Sequence, residues 1–243
     1  SNSETWEGAV YIYHGSSTGI NTTAAIMMES NQLQAQMGFS VACAGDVNSD
    51  GFSDVIVGVW LFDNPEINEG VAYLYHGSST GISGTIATTL EANQSASNFG
   101  ISVAGAGDVN GDAEDYDSGQ TDEGVAFVYH GSGSGINNVA VTMVQSDQGF
   151  SQFAFSVASA GDVNGDGYSD VVVGAYSFDN VEANEGAAFI YHGSATGINN
   201  TIAATVESNQ PGAQFGISVA CAGDINGDGY SDIALGYGMY DGA

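Results

Sequence analysis

The residues best suited to chemistry form a nine-residue phrase, Asp-x-Asn-x-Asp-Gly-x-x-Asp, which occurs three times. Side-chain oxygens at the first, third and fifth positions match the start of a calcium-binding loop, and glycine at the sixth permits the sharp turn that gathers them. A backbone carbonyl commonly serves at the seventh position, which is aromatic in every copy. The predicted ligands are Asp46, Asn48, Asp50, Phe52 and Asp54; Asp162, Asn164, Asp166, Tyr168 and Asp170; Asp224, Asn226, Asp228, Tyr230 and Asp232.

A fourth copy of this phrase is incomplete. Asp108, Asn110 and Asp112 hold its first, third and fifth positions, but the glycine and the ninth-position aspartate are missing. Its ligand set can be completed only if Asp115 or Asp117 takes the ninth place. The sequence therefore predicts three intact calcium loops and a fourth that lacks part of its ligand set.

The charge balance supports a cation as the partner of these loops. The chain has 29 acidic residues and no Lys or Arg, which gives a net charge of −29. Two like charges about 4 Å apart repel by roughly 4 kcal/mol at an effective dielectric of 20, and no basic side chain can offset this. Hard oxygen ligands favour Ca²⁺ over zinc or iron. The same charge argues against nucleic acid and anionic membranes as partners, and no apolar run is long enough to span a bilayer.

The phrase belongs to a longer repeat. Tyr-His-Gly-Ser recurs with its histidine at positions 14, 76, 130 and 192, so the spacings are 62, 54 and 62 residues. One unit is therefore about 62 residues long, and the second unit is eight residues short. We place the units at residues 7–69, 70–123, 124–185 and 186–243 of one continuous array. The eight residues are missing between Asp112 and Ala113, and either the omission of a segment that the protein contains or a real deletion accounts for them.

Each unit contains four short apolar segments whose patterns indicate strands. Residues 70–76 alternate and carry aromatic side chains, residues 85–91 follow a glycine turn, and residues 99–106 are rich in small side chains. Residues 53–60 show the fourth segment, directly after the acidic phrase. Four antiparallel strands per unit, with the units stacked by their faces, predict an all-β fold of β-propeller blades. A parallel β-solenoid is the alternative, but its coils have shorter periods.

The units resemble FG-GAP repeats, which form the propeller of integrin α-subunits and occur in many bacterial secreted proteins. The phrase Phe-Gly-x-Ser-Val-Ala-x-Ala-Gly-Asp-x-Asn-Gly-Asp-Gly-Tyr-Ser-Asp stands nearly whole at residues 215–232. The resemblance implies calcium loops on one rim of a ring that usually has seven blades. Four units cannot close such a ring, so we expect the chain to be part of a larger propeller or array.

Nothing in the sequence favours catalysis. The four histidines occupy one position of the repeat, whereas a catalytic histidine needs a single setting with its own partners. The obvious carboxylate clusters are already assigned to the metal loops. The chain is therefore expected not to be an enzyme.

Three functions remain open. The first is a secreted or cell-surface module, stabilised by calcium, that binds a protein or glycan in adhesion. The second is a structural subunit that assembles with its own copies, end to end, into a filament or surface layer. The third is an accessory domain of a secreted hydrolase. N-glycosylation sequons at Asn21, Asn93 and Asn199 fit an exported protein.

Overall fold

The computed structural model describes residues 5–105, 109–113 and 118–239, the second of these ranges through its backbone alone. Twenty strands and no helix occur in this described part of the chain, so it contains no helix that could cross a membrane. The strands are β1 Ala9–Ile12, β2 Gly15–Ser16, β3 Gly19–Ile20, β4 Ile26–Glu29, β5 Val41–Gly45, β6 Asp54–Val59, β7 Val71–Tyr75, β8 Thr88–Glu91, β9 Val103–Gly105, β10 Val109–Ala113, β11 Val125–Tyr129, β12 Gly131–Ser132, β13 Gly135–Ile136, β14 Thr142–Val144, β15 Phe153–Gly161, β16 Asp170–Ala175, β17 Ala187–Tyr191, β18 Ala204–Glu207, β19 Phe215–Gly223 and β20 Asp232–Tyr237.

Besides two small hairpins, β2-β3 and β12-β13, the described strands form five successive antiparallel sheets. The second, third and fourth sheets have four strands each, in the orders β5-β6-β7-β8, β9-β10-β11-β14 and β15-β16-β17-β18. The first sheet pairs β1 with β4, and the fifth pairs β19 with β20. The predicted all-β fold with four-stranded antiparallel sheets is confirmed.

The sheets are offset from the repeats of the sequence by two strands. Each four-stranded sheet takes its first two strands from one repeat and its last two strands from the next. Every repeat therefore joins two neighbouring sheets covalently, which fixes the order in which the sheets stack.

Apolar side chains fill the space between consecutive sheets. All five residues of β7, β11 and β17 are buried, as expected for strands covered on both faces. Ile56 and Leu74 of the second sheet pack with Phe127 and Tyr129 of the third. Equivalent cores join the first sheet to the second, the third to the fourth and the fourth to the fifth. The sheets thus stack face to face in chain order, as propeller blades do.

The first strands of the sheets lie side by side, because β5 contacts β9, β9 contacts β15 and β15 contacts β19. Glycine permits the close approach at this side of the array. A Cβ on Gly58 would overlap the carbonyl of Gly100 in the next sheet, and one on Gly174 would overlap the carbonyl of Gly216. The hydroxyl of Ser156 donates to the same Gly216 carbonyl at 2.8 Å. These close contacts lie near the ends of β6 and β16 that are farthest from the acidic phrases.

Candidate metal loops and blade contacts

The three intact acidic phrases form loops of one geometry, at residues 46–54, 162–170 and 224–232, which we call the first, third and fourth loops. Each joins the first strand of a sheet to the second. The sixth-position glycine has a φ of 90° in the first loop, 89° in the third and 93° in the fourth, in the left-handed region that favours glycine. The predicted role of this glycine in the turn agrees with its backbone conformation.

The first aspartate of each loop faces the loop's own backbone. In the third loop, Asp162 Oδ2 accepts the N–H of Gly167 at 2.8 Å, and Oδ1 accepts those of Gly165 and Asp166 at 2.7 and 3.1 Å. These hydrogen bonds, first of all that from Gly167, hold the pKa of Asp162 below its usual value. Asp224 shows the same pattern, led by Gly229. The first carboxylate is therefore kept charged in both loops.

The third and fifth positions close the rest of the loop. In the third loop, Asn164 Oδ1 accepts the N–H of Asp166 at 2.9 Å, and Asn164 Nδ2 donates to Asp166 Oδ2 at 2.9 Å. Asp166 Oδ1 accepts the N–H of Tyr168 at 3.0 Å. The first loop repeats these contacts with Asn48, Asp50 and Phe52, and the backbone bonds recur at Asn226, Asp228 and Tyr230. The predicted ligands at positions one, three, five and seven are thus gathered in one loop.

The ninth aspartate plays a different structural part. Asp170 is fully buried, its Oδ2 accepts the N–H of Val163 at 2.9 Å, and its Oδ1 accepts the N–H of Gly193 at 2.8 Å. Asp54 is buried in the same way, between Val47 and Gly77. This residue clamps the base of its loop to the end of the third strand of the same sheet. Sequence reasoning missed that role, because a ligand and a clamp need the same residue type at the same spacing.

The inward turn of the ninth aspartate limits the ligand set. Among the described residues, no three His, Cys, Asp or Glu side chains converge in an arrangement suited to a metal. A cation in one of these loops would rely on the side chains at positions one, three and five and on the seventh carbonyl. All of these donors are oxygens, the ligands that Ca²⁺ prefers, and a carboxylate oxygen that accepts one N–H keeps a second lone pair. The donor set therefore fits calcium.

The incomplete second phrase takes another conformation. Asn110 and Asp112 lie in β10, opposite Val128 and Ala126 of β11. Val172 and Gly174 hold the equivalent places in the fourth sheet, opposite Ile190 and Ala188. The second phrase thus forms the strand that should follow it, and the structure does not bring Asn110 and Asp112 into a loop. Asp108, Asp115 and Asp117 lie outside the described residues.

The repeated histidines lie between neighbouring sheets. His14 faces Gly81, where an added Cβ would be 2.6 Å from His14 Nε2, and His76 faces Gly135 in the same manner. His130 packs on Gly197. Each of these histidines therefore packs on the turn that follows the third strand of the next sheet, which agrees with a structural role.

A buried glutamate precedes the third strand of each complete sheet and was overlooked. Glu69, Glu123 and Glu185 are fully buried, and Glu185 Oε1 accepts the N–H groups of Asn180 and Val181 at 3.0 and 3.1 Å. Burial, together with the neighbouring Glu66 carboxyl, raises the pKa of Glu69 to about 7. The fourfold recurrence of Glu-Gly before an apolar strand was the available signal.

Comparison with known proteins agrees with these features. The FG-GAP repeat model matches residues 153–191 and 215–243. The chain carries FG-GAP repeats. It is 29% identical to integrin alpha-4 of Xenopus laevis over 98% of its length and 31% identical to integrin alpha pat-2 of Caenorhabditis briggsae over 82%. It is also 32% identical to integrin alpha-7 of Homo sapiens over 70% of its length.

The chain spans only a small part of these relatives: 23% of the integrin alpha-4 sequence, 18% of integrin alpha pat-2 and 14% of integrin alpha-7. The two segments matched by the FG-GAP model begin at Phe153 and Phe215, the first residues of β15 and β19. The matched unit therefore begins with the strand that precedes the third or fourth loop.

Proposed function

We propose that the chain is an extracellular, non-catalytic FG-GAP module that is stabilised by calcium and binds a protein or glycan ligand in adhesion. The observation that carries this proposal is the set of three loops in which the first aspartate accepts backbone N–H groups of its own loop, so that the oxygens of the predicted ligands are gathered in one turn. The similarity to integrin α-subunits supports the adhesive and extracellular parts of the proposal.

Calcium supplies the charge that the polypeptide lacks. Each loop brings the carboxylates of its first and fifth positions together in a chain that has no Lys or Arg, so a bound divalent ion offsets their two negative charges. Because the ion binds the folded loop and not the unfolded chain, it stabilises the fold by about 2.7 kcal/mol per site when its concentration is a hundred times the dissociation constant.

Thermal unfolding with and without a chelator tests this proposal. We expect the melting temperature to fall substantially when calcium is removed and to return when calcium, but not sodium at the same ionic strength, is added back. The sodium control separates specific binding from general screening of the negative charge. A melt that does not respond to the chelator would refute calcium stabilisation.

The exposed faces of the end sheets support self-association as a second candidate. Tyr11 of the first sheet is 51% exposed, whereas Tyr73, at the equivalent place in the second sheet, is 7% exposed. Every residue of β16 is buried, whereas none of β20 is. Further blades, from the same polypeptide or from another copy, would cover these faces.

Sedimentation of the isolated chain in millimolar calcium tests that candidate. We expect species larger than the 24.7 kDa chain. A single folded species of the monomer mass would show that four repeats are self-sufficient.

Export also predicts glycosylation. The sequon residues Asn21, Asn93 and Asn199 are all at least partly exposed. Expression through a eukaryotic secretory pathway should therefore add mass that an endoglycosidase removes, and each Asn→Gln change should remove one glycan. An unmodified chain would mean that exposure at these three positions is not sufficient for modification.

A further inference from the structure

The third and fourth loops are joined directly to each other. The backbone N–H of Asp162 donates to Ser231 Oγ at 3.2 Å, and the backbone N–H of Ser231 donates to the carbonyl of Asp162 at 2.9 Å. Asp162 is the first ligand position of the third loop. Ser231 is the eighth residue of the fourth loop and lies between its seventh and ninth positions, Tyr230 and Asp232.

The contact between these two loops is tightly fitted. A Cβ on Gly161 would overlap the Ser231 side chain, and a Cβ on Gly165 would lie 2.7 Å from the ring of Tyr230. Both glycines have φ values in the left-handed region, 72° and 75°. Neither loop can therefore shift far without displacing backbone or ring atoms of the other.

The first loop has no such contact with the described residues. A Cβ added to Gly45, the equivalent of Gly161, would have no atom within 4 Å among them, and Ser49 stands where the third loop has Gly165. In the third loop this contact is made by Tyr230 and Ser231, the seventh and eighth residues of the next loop. The equivalent contact to the first loop would need a Tyr-Ser pair in the second repeat, and the shortened phrase does not contain one. Within the described residues, the third and fourth loops are thus joined, and the first loop, of the same sequence type, is separate.

We infer that the third and fourth loops bind calcium as a coupled pair, whereas the first loop binds it independently. This inference rests on the proposed calcium binding. An ion held by Asp162 fixes the backbone to which Ser231 is bonded, and Ser231 positions the Tyr230 carbonyl and Asp232. The second ion then meets a loop that is already ordered, so less conformational entropy is lost when it binds. The same coupling acts in the reverse direction.

Repulsion between the two ions does not cancel this effect. The carboxylates at the first and fifth positions of each loop bring two negative charges, which offset the charge of one divalent ion. A loop that holds an ion therefore carries no net positive charge that would repel the ion in the neighbouring loop.

Terbium luminescence can report on the coupled pair alone. Tb³⁺ binds oxygen-ligand calcium loops and emits when a nearby tyrosine is excited. The third and fourth loops carry Tyr168 and Tyr230 at the seventh position, whereas the first loop carries Phe52. Titration of the full chain with Tb³⁺ therefore follows the joined loops with little signal from the separate one.

The decisive variant is Asp228→Asn, which removes a charged ligand from the fourth loop and leaves Tyr168 to report on the third. We expect the affinity of the third loop to fall about fivefold or more, which is the lower end of typical coupling between sites. In the Ser231→Ala background, which lacks one of the two hydrogen bonds between the loops, the same change should have a clearly smaller effect.

Ser53→Ala is the matched control, because Ser53 occupies the eighth position of the uncoupled first loop. It should leave the response to Asp228→Asn unchanged, and circular dichroism should show that all variants remain folded. A third-loop affinity that stays within about twofold in Asp228→Asn would overturn the coupling. Absence of any tyrosine-sensitised emission would refute metal binding itself, so the two failures are distinguishable.

Discussion

The second and third repeats contain the same six residues, Gly-Asp-Val-Asn-Gly-Asp, and the last four of them, Val-Asn-Gly-Asp, form different structures in the two repeats. In the third repeat Asp162–Asp166 forms the loop, and Asp170–Ala175 forms strand β16. In the second repeat Val109–Ala113 is itself the strand, and it pairs with β11 in the register that β16 has with β17. A single phrase is therefore a loop when a strand follows it and a strand when none does.

The difference shows that completing the hydrogen bonds of the sheet contributes more to stability than forming the acidic loop. Strands β9 and β11 each present a row of backbone N–H and C=O groups that must find partners when buried. An unmade buried hydrogen bond costs about 1–3 kcal/mol, and several would be lost if the second strand of the sheet were missing. Completing the sheet therefore outweighs forming an acidic loop.

The largest expected effect is the conversion of the second repeat into the third. Insertion of Gly-Tyr-Ser-Asp-Val-Val-Val-Gly, the sequence of residues 167–174, between Asp112 and Ala113 restores the eight missing residues. We expect the new Asp-Val-Val-Val segment to replace β10 and to release Asp108–Asp112 into a loop. The bound calcium should rise by one ion per chain, measured by native mass spectrometry. An unchanged ion count would show that the short repeat is not limited by the missing strand.

The next effect concerns the ninth aspartate, which the second repeat lacks. Asp170→Ala leaves the buried N–H groups of Val163 and Gly193 without their acceptors. We expect the free energy of unfolding to fall by about 2–5 kcal/mol, with or without calcium, because two buried donors are left unpaired. Asp166→Ala should act mainly when calcium is present, since its side chain is exposed and serves the loop. Denaturant unfolding of both variants, with calcium and with chelator, separates clamp from ligand. If the stability of the two variants depended on calcium in the same way, Asp170 could not be distinguished as a clamp from Asp166 as a ligand.

A third test addresses the close contact between the fourth and fifth sheets. Gly174→Ala places a methyl group against the carbonyl of Gly216, and we expect it to lower the free energy of unfolding by about 1–3 kcal/mol. Gly236→Ala is the matched control, because the nearest atom to its added Cβ is 3.4 Å away on Ser218. If the two variants were equally stable, the fourth and fifth sheets would not pack as closely in solution as the contact between Gly174 and Gly216 requires.

The smallest effect is the pH dependence of the loops without calcium. Hydrogen bonds hold the pKa values of Asp162 and Asp224 below the usual value of 3.8. A lowered pKa adds stability that is present above the unfolded value and is lost as the pH falls below it. We expect Asp162→Asn to reduce the loss of stability between about pH 4 and pH 2, measured by urea unfolding in chelator. An unaltered slope would place the acid sensitivity at other groups of the protein.

Much of the architecture could be predicted from the sequence, because the repeat places the same apolar segments and the same acidic phrase at fixed spacing. The predicted strand 70–76 is β7, and the strand at 53–60 is β6. Short-range patterns predicted these strands because the formation of each strand depends mainly on the residues within it. The offset between repeats and sheets was not predictable, since pairing of strands across repeat boundaries is a long-range choice.

The site was predicted only in part. Side chains at positions one, three and five bond to the loop's own backbone, so local spacing was sufficient to find them. The clamp role of Asp170 depends on Gly193, which is distant in sequence, and the role of Ser231 depends on the loop of another repeat. No local pattern encodes these contacts.

The most direct test of calcium binding by the intact loops is the number of ions that the full chain binds. Native mass spectrometry, supported by isothermal titration in buffer stripped of metal, gives this number for the wild-type chain and for a variant with Asp50→Ala, Asp166→Ala and Asp228→Ala combined. We expect three calcium ions per wild-type chain, one for each loop, and none in the variant. A wild-type chain that binds no calcium, or a variant that binds as much as the wild type, would contradict the account.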